Sequence, residues 1–146
     1  MPITRMDNVL VVVEDLDAAV AFFVELGMQL EGRAPVEGEW ADRVIGIDGV
    51  REEVAMLRTP DGHGRIELAA FREPAAVRTA PADAPVNALG IRRIMFAVDD
   101  VDDVLARLRG HGAELVGDVV RYGDAYRLCY VRGPEGILVG LAEQLS

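Results

Sequence analysis

Four residues mark where two near-copies of one stretch of sequence differ in chemistry: Asn8 and Glu67 in the first half, Arg93 and Gly140 in the second. Asn8-Val-Leu-Val-Val-Val-Glu-Asp-Leu-Asp-Ala-Ala-Val20 aligns without a gap on Arg93-Ile-Met-Phe-Ala-Val-Asp-Asp-Val-Asp-Asp-Val-Leu105. The same offset holds for Leu26-Gly-Met-Gln-Leu30 against His111-Gly-Ala-Glu-Leu115. Each copy closes on a related pair: Pro60-Asp-Gly62 with Ile66-Glu67-Leu68, and Pro134-Glu-Gly136 with Val139-Gly140-Leu141. A carboxylate at Glu67 can ligate a metal, accept a proton or hold an amine. Arg93 is a permanent cation with no lone pair, so it repels a metal and suits an anionic or carbonyl oxygen. Asn8 offers one weak carbonyl oxygen, and Gly140 has no side chain.

The other chemistry-bearing residues are sparse. His63, in Asp61-Gly-His-Gly64, reads as a solvated turn residue. His111, between Gly110 and Gly112, follows a helix end, where a cation interacts well with the helix dipole. With two histidines in the chain, a His-based metal triad is not expected. Cys129 is the single cysteine, which excludes an internal disulfide and a Cys-rich zinc site. In the strand-like Tyr126-Arg-Leu-Cys-Tyr-Val131 it reads as a small buried hydrophobe rather than a nucleophile.

The chain has 146 residues, 51% of them hydrophobic, enough for one compact domain or two small repeats sharing a core. A formal net charge of −10 disfavours nucleic acid and anionic membranes, which attract the opposite sign. The N-terminus lacks a basic region followed by an apolar core, and no apolar run reaches membrane-spanning length. The expectation is a cytoplasmic protein with no nucleic-acid or membrane partner.

These residues must be positioned by repeated elements. Asn8–Val13 reads as a buried strand, followed by a helix capped by Asp15 or Asp17, with a stripe of Leu16, Ala19, Val20, Phe23 and Leu26. Gly27 ends it. The second copy gives strand Ile94–Val98, cap Asp100 or Asp102, stripe Val101, Val104, Leu105 and Leu108, and a stop at Gly110/Gly112. Strands are expected at Gln29–Arg33, Glu53–Arg58 and Arg65–Phe71, and again at Glu114–Val120, Tyr126–Val131 and Ile137–Glu143. Each half is thus β-α-β-β-β, an α+β chain of two tandem modules, 4–72 and 90–146. The Pro- and Ala-rich stretch 73–89 is the linker between them. Pro35–Val50, which holds Trp40, reads as a short helix or a lid.

The order and duplication of Val13-Glu-Asp-Leu-Asp-Ala-Ala-Val-Ala-Phe-Phe-Val-Glu-Leu-Gly27, Thr59-Pro-Asp-Gly62, Val98-Asp-Asp-Val101 and Gly133-Pro-Glu-Gly-Ile-Leu-Val139 resemble the vicinal oxygen chelate superfamily. That is the group of glyoxalase I, bleomycin-resistance proteins, extradiol dioxygenases and methylmalonyl-CoA epimerase. The resemblance implies two curved sheets forming an open cup, a homodimer, and a divalent metal held by His, Gln or Glu on the first and last strands of each module. Such a metal acts as a Lewis acid on two adjacent substrate oxygens. At those positions this chain has Asn8, Glu67, Arg93 and Gly140, so only Glu67 matches well. No cofactor is expected, although waters or a ligand's oxygens could complete a hard-ion shell around Glu67 and Asn8.

With the family orientation, Glu67 and Arg93 would meet near the centre of the cup. Three roles are open there: a clasp between the halves, ligand recognition with Arg93 on an oxygen and Glu67 on an amine or hydroxyl, or Glu67 as a general base beside Arg93. An adjacent Arg lowers a carboxylate pKa and so works against the last of these. Gly140 would leave room where a carboxylate stood. Strand alternation adds Leu10 and Val12, Met95 and Ala97, and Arg65 and Ala69 to the lining, with Tyr126, Tyr130 and Trp40 as candidate aromatic walls. The expected function is small-molecule binding in the cup (ligand residues Asn8, Leu10, Trp40, Glu67, Arg93, Met95 and Tyr126). The alternative is a lyase, epimerase or isomerase using Glu67 with an unconventional metal shell or none.

Overall fold

A computed structural model of the chain describes residues 2–145. Its contacts divide it into two compact units, one ending at Val77 and the other beginning at Arg78.

In the first unit the elements run β1 (Val9–Val12), α1 (Leu16–Leu26), β2 (Gln29–Glu37), α2 (Glu39–Ile45), β3 (Arg51–Arg58) and β4 (Arg65–Glu73). The sheet order is β1-β4-β3-β2. β1 and β4 pair in parallel and the other pairs are antiparallel. The helix that follows β1 makes this possible, because parallel neighbours need a crossover rather than a hairpin. β2 extends past the expected Arg33 to Glu37 and takes in Pro35. It is an edge strand, where a missing N–H costs no ladder bond. The stretch after it forms the short helix α2, tied down by Asp42, whose carboxylate accepts from the Gly49 and Val50 amides at 2.9 and 3.0 Å.

α1 packs on β2, β3 and β4. Its buried residues are Leu16, Ala19, Phe22 and Phe23. Phe22 thus belongs to the covered face instead of Val20 and Leu26, which are half-buried. The two Phe rings meet edge to face, 5.1 Å between centroids and 76° between planes, a favoured geometry for paired aromatics. Val11, Val13, Ala55, Leu57, Ile66, Leu68 and Ala70 complete this core.

The second unit repeats the plan with β5 (Arg93–Val98), α3 (Val101–Arg109), β6 (Glu114–Leu115), β7 (Val120–Tyr122), β8 (Tyr126–Arg132), a single 3-10 turn at Pro134–Gly136, and β9 (Leu138–Gln144). The order is β5-β9-β8-β6, with β7 also on β8, and β5 and β9 are parallel. The expected strand Glu114–Val120 is broken, because the chain bends at Val116-Gly117 between β6 and β7. α3 buries Val101, Val104, Leu105 and Leu108 against β8 and β9. No helix among the described residues is long and apolar enough to cross a membrane.

The repeat assigns its paired aspartates to two jobs. Asp15 caps α1 by accepting from the Ala18 amide at 3.0 Å, and Asp100 caps α3 by accepting from the Asp103 amide at 3.1 Å. Asp17 and Asp102, two residues on, each reach a strand arginine: Arg33 at 2.5 Å, and Arg127 through two bonds of 2.9 and 3.0 Å. The Arg127 guanidinium holds the Asp102 carboxyl below the usual carboxylate range. Removing either cap, Asp15→Ala or Asp100→Ala, is expected to cost about 1 kcal/mol. That is a fall in Tm of about 3 °C, readable by thermal denaturation; an unchanged Tm would mean that water caps these helices equally well.

Candidate functional site

Because each helix covers one face of its sheet, the opposite face is left to other occupants. In the first unit strand register fixes what that face presents. One row is Gly32, Met56, Glu67 and Leu10; the next is Ala34, Val54, Ala69 and Val12; a third is Val36, Glu52 and Phe71. Leu10, 49% exposed, and Val12 lie on this face rather than in the core. The phase predicted from Asn8 and Glu67 therefore places Leu10, Val12 and Arg65 on that side with exposed or half-buried side chains, whereas Ala69, in the same phase between Val12 and Val54, is fully buried. The β3 contribution, Met56, Val54 and Glu52, was legible from the same alternation but was missed.

Glu67 stands between Leu10 and Met56 in register. Arg65, beside it, is held in a two-point pair with Glu31 at 3.0 and 3.2 Å. Asn8 donates its amide to the Asp7 carboxylate at 3.1 Å, and the Arg5 and Asn8 hydrogen bonds hold Asp7 below the usual range. Glu52, across the Val54–Ala69 row from Glu67, is pushed up, first by burial and then by the Glu67 charge. The face is thus apolar with two carboxylates that oppose each other electrostatically.

In the second unit the rows are Arg93, Leu138 and Arg132; Met95, Gly140 and Tyr130; Ala97, Ala142, Leu128 and Val120; then Gln144, Tyr126 and Tyr122. Tyr126 and Tyr130 share a phase with Arg93 and Met95. The Arg93 guanidinium lies over the Tyr130 ring, 5.1 Å from its centroid, and donates to the Tyr130 hydroxyl. A cation on an aromatic face gains from the ring quadrupole, and the hydroxyl bond fixes the guanidinium's plane. Met95 is 38% exposed beside it.

Gly140 does not leave the room expected of it. A Cβ there would fall 2.6 Å from Met95 Sδ and 3.1 Å from its Cε. Met95 fills the space, so any carboxylate at this position would first have to displace a thioether.

The remaining candidates lie elsewhere. Trp40 sits on α2, 64% exposed, and not on a strand of the uncovered face. His63 follows Asp61 in the β3–β4 turn, its amide donating to the Asp61 carboxylate at 3.0 Å, and His111 is exposed. Cys129 is buried in register with Leu141 on the side α3 covers, and burial pushes its thiol up. A groove of about 300 Å³ runs beside Arg33, Glu37, Arg51, Glu53 and Arg72. Its guanidiniums are engaged with carboxylates: Arg33 and Arg72 both on Glu53 at 3.0 Å, and Arg51 on Glu37 at 3.1 Å.

The donor set does not fit the family's divalent metal. Of the four positions, Arg93 brings a cation already engaged by Tyr130, and Gly140 brings no donor and is filled by Met95. Asn8 has its amide nitrogen on Asp7, and Glu67 alone supplies a strong oxygen ligand. Among the described residues no three His, Cys, Asp or Glu side chains converge as a metal shell would require.

Two outcomes check this geometry. Gly140→Ala should cost about 1 kcal/mol or less, because its Cβ meets the end of a flexible, part-exposed Met95 side chain that can turn aside. With Met95→Ala in the same chain that cost should vanish; additive losses in the double-mutant cycle would contradict the contact. Glu52 binds its proton more tightly in the folded chain than in the unfolded one. Folding stability therefore falls as pH rises from the ordinary glutamate range through the raised value. Glu52→Gln should gain stability relative to the parent as pH rises through that window, by an amount that added salt reduces at this part-exposed site, with the gain vanishing below the ordinary glutamate range. A pH-independent difference would remove the electrostatic explanation.

The comparisons with known proteins agree with this architecture. The family model described as the Glyoxalase/Bleomycin resistance protein/Dioxygenase superfamily matches residues 5–141. A crystal structure of a glyoxalase family protein from Bacillus cereus is 57% identical, with a TM-score of 0.95, covering 100% of this chain and 97% of that one. At the level of fold, glyoxalase I from Leishmania major is 19% identical with a TM-score of 0.63, covering 95% and 86% of the two chains. An antibiotic binding protein from Streptomyces is 22% identical with a TM-score of 0.58, covering 99% and 98%. No protein of curated function matches the chain. With the first and last strands of each unit paired in parallel across a crossover helix and the family model spanning both units, the chain belongs to the glyoxalase/bleomycin resistance protein/dioxygenase superfamily.

Proposed function

We propose that this chain binds a small organic molecule on its uncovered sheet faces, through side chains rather than through the family's metal. The observation that carries the reading is the Arg93 guanidinium, seated on Tyr130 and bound to its hydroxyl at the edge of an apolar field of Met95, Ala97, Leu128 and Tyr126. A pre-oriented guanidinium loses little freedom when it grips an oxygen, so more of the interaction appears as affinity. A flat molecule with a carboxylate or polarised carbonyl at one end fits it: the oxygen on Arg93, the body over the thioether and rings.

Taken by itself, the face of the first unit has Glu67 between Leu10 and Met56, which suits an amine or hydroxyl. The antibiotic binding protein from Streptomyces has this fold, which supports the fold's capacity to hold an organic ligand and does not identify the ligand of this chain.

Calorimetry with simple aromatic carboxylates, benzoate and naphthoate, tests the reading. Arg93→Ala should weaken binding about tenfold or more, the worth of a charge-assisted hydrogen bond. Tyr130→Phe should weaken it less, since the ring remains under the cation. A chelator should change nothing. Equal affinity in Arg93→Ala, or loss of binding on chelation, would overturn the proposal.

A further inference from the structure

The segment before β5 is fastened to the second unit by more hydrogen bonds than a loose linker needs, and Arg132 supplies most of them. One of its terminal nitrogens donates to the carbonyls of Ala82 and Gly136 at 3.3 and 3.1 Å, and the other to those of Asp83 and Ala84 at 3.5 and 2.8 Å. Arg92 adds bonds to the Ala84 and Pro85 carbonyls at 3.4 and 3.1 Å, while its own Nε is buried without a partner. The segment folds on itself through an Ala84 amide to Pro81 carbonyl bond of 3.0 Å, and Ala84 is only 8% exposed.

The turn beneath it is shaped for the contact. Gly136 has φ +77°, and a Cβ there would lie 1.8 Å from the Ala82 oxygen. Only glycine allows that carbonyl so close while holding a left-handed backbone. Arg78 is paired with Glu135 in the same turn at 2.6 Å.

Register shows which residues share a row with Arg132. Arg132 faces Leu138, and Leu138 faces Arg93, all in the phase of the uncovered face. Along that face Met95 is 38% exposed, yet Leu138 is 1% exposed. Along β9 in this phase, Leu138 is buried beside Arg132, Gly140 is buried beneath Met95, and Ala142 is half-buried, so the strand opens away from the end that Arg132 shares.

We infer that residues 81–85 form a strap latched by Arg132 over Leu138, and that Arg132 is a positioning residue that closes the uncovered face of the second unit beside Arg93. A molecule on this face is stopped at the Arg93 row and extends toward Ala97, Ala142 and Tyr126. The inference concerns the shape of the face and holds whatever ligand it takes.

Hydroxyl-radical footprinting with hydrogen exchange tests it on the full chain. In Arg132→Met the labelling of Leu138 should rise several-fold and the Ala84 amide should exchange faster, while Leu141, buried in the same strand toward α3, stays protected. Arg132→Lys keeps the charge with one nitrogen for four carbonyls; it should give an intermediate result, and it carries the test if Arg132→Met does not fold. Unchanged Leu138 protection in the folded variant would overturn the latch. So would an equal rise at Leu141, which would make Arg132 a general stabiliser.

Discussion

The parallel pairing of the first and last strands of each unit is the constraint from which the rest follows. A helix must carry the chain between parallel neighbours, and that helix lands on one face of the sheet and buries it. The opposite face is then left without a helix of its own unit. The same pairing sets first-strand residues directly beside last-strand residues, Leu10 beside Glu67 and Met95 beside Gly140. Chemistry placed at strand ends far apart in sequence is thereby brought together twice.

The two units use this shared frame differently. In the first, the adjacent position keeps a carboxylate in an apolar row, and a second carboxylate, Glu52, feels both its burial and the Glu67 charge. In the second, the carboxylate is replaced by glycine and Met95 occupies the vacated volume. The first-strand residue there is a cation held by an aromatic ring. A divalent ion needs several oxygen, nitrogen or sulfur donors around it. One glutamate, one amide, a guanidinium and a glycine do not make up that donor set.

Much of this was legible in the sequence because it depends on periodicity and on repetition. The strand-helix-strand opening of each half, a cap at Asp15 or Asp17 and at Asp100 or Asp102, and the phases of β1, β4 and β5 follow from alternation and from paired motifs. What escaped depends on volume and on distant contacts. The space at Gly140 looked open because a missing side chain says nothing of which neighbour leans in. Phe22 joined the core because α1 presents a broader apolar face than its simplest stripe. The break at Val116-Gly117 was hidden inside an apparently continuous strand, and the partnership of Arg93 with Tyr130 crosses two strand pairings that composition does not reveal. The strap held by Arg132 was read only as a Pro- and Ala-rich linker, since its bonds run to backbone carbonyls that carry no sequence signature.

Side-chain NMR of chelator-treated protein titrated with naphthoate tests the central claim most directly. The account predicts that the Arg93 guanidinium, the Met95 methyl and the Tyr130 ring signals shift together and saturate with no metal added. Shifts that appear only once a divalent ion is supplied, or that fall in the groove beside Arg51 and Arg72 and leave Arg93 unmoved, would contradict it.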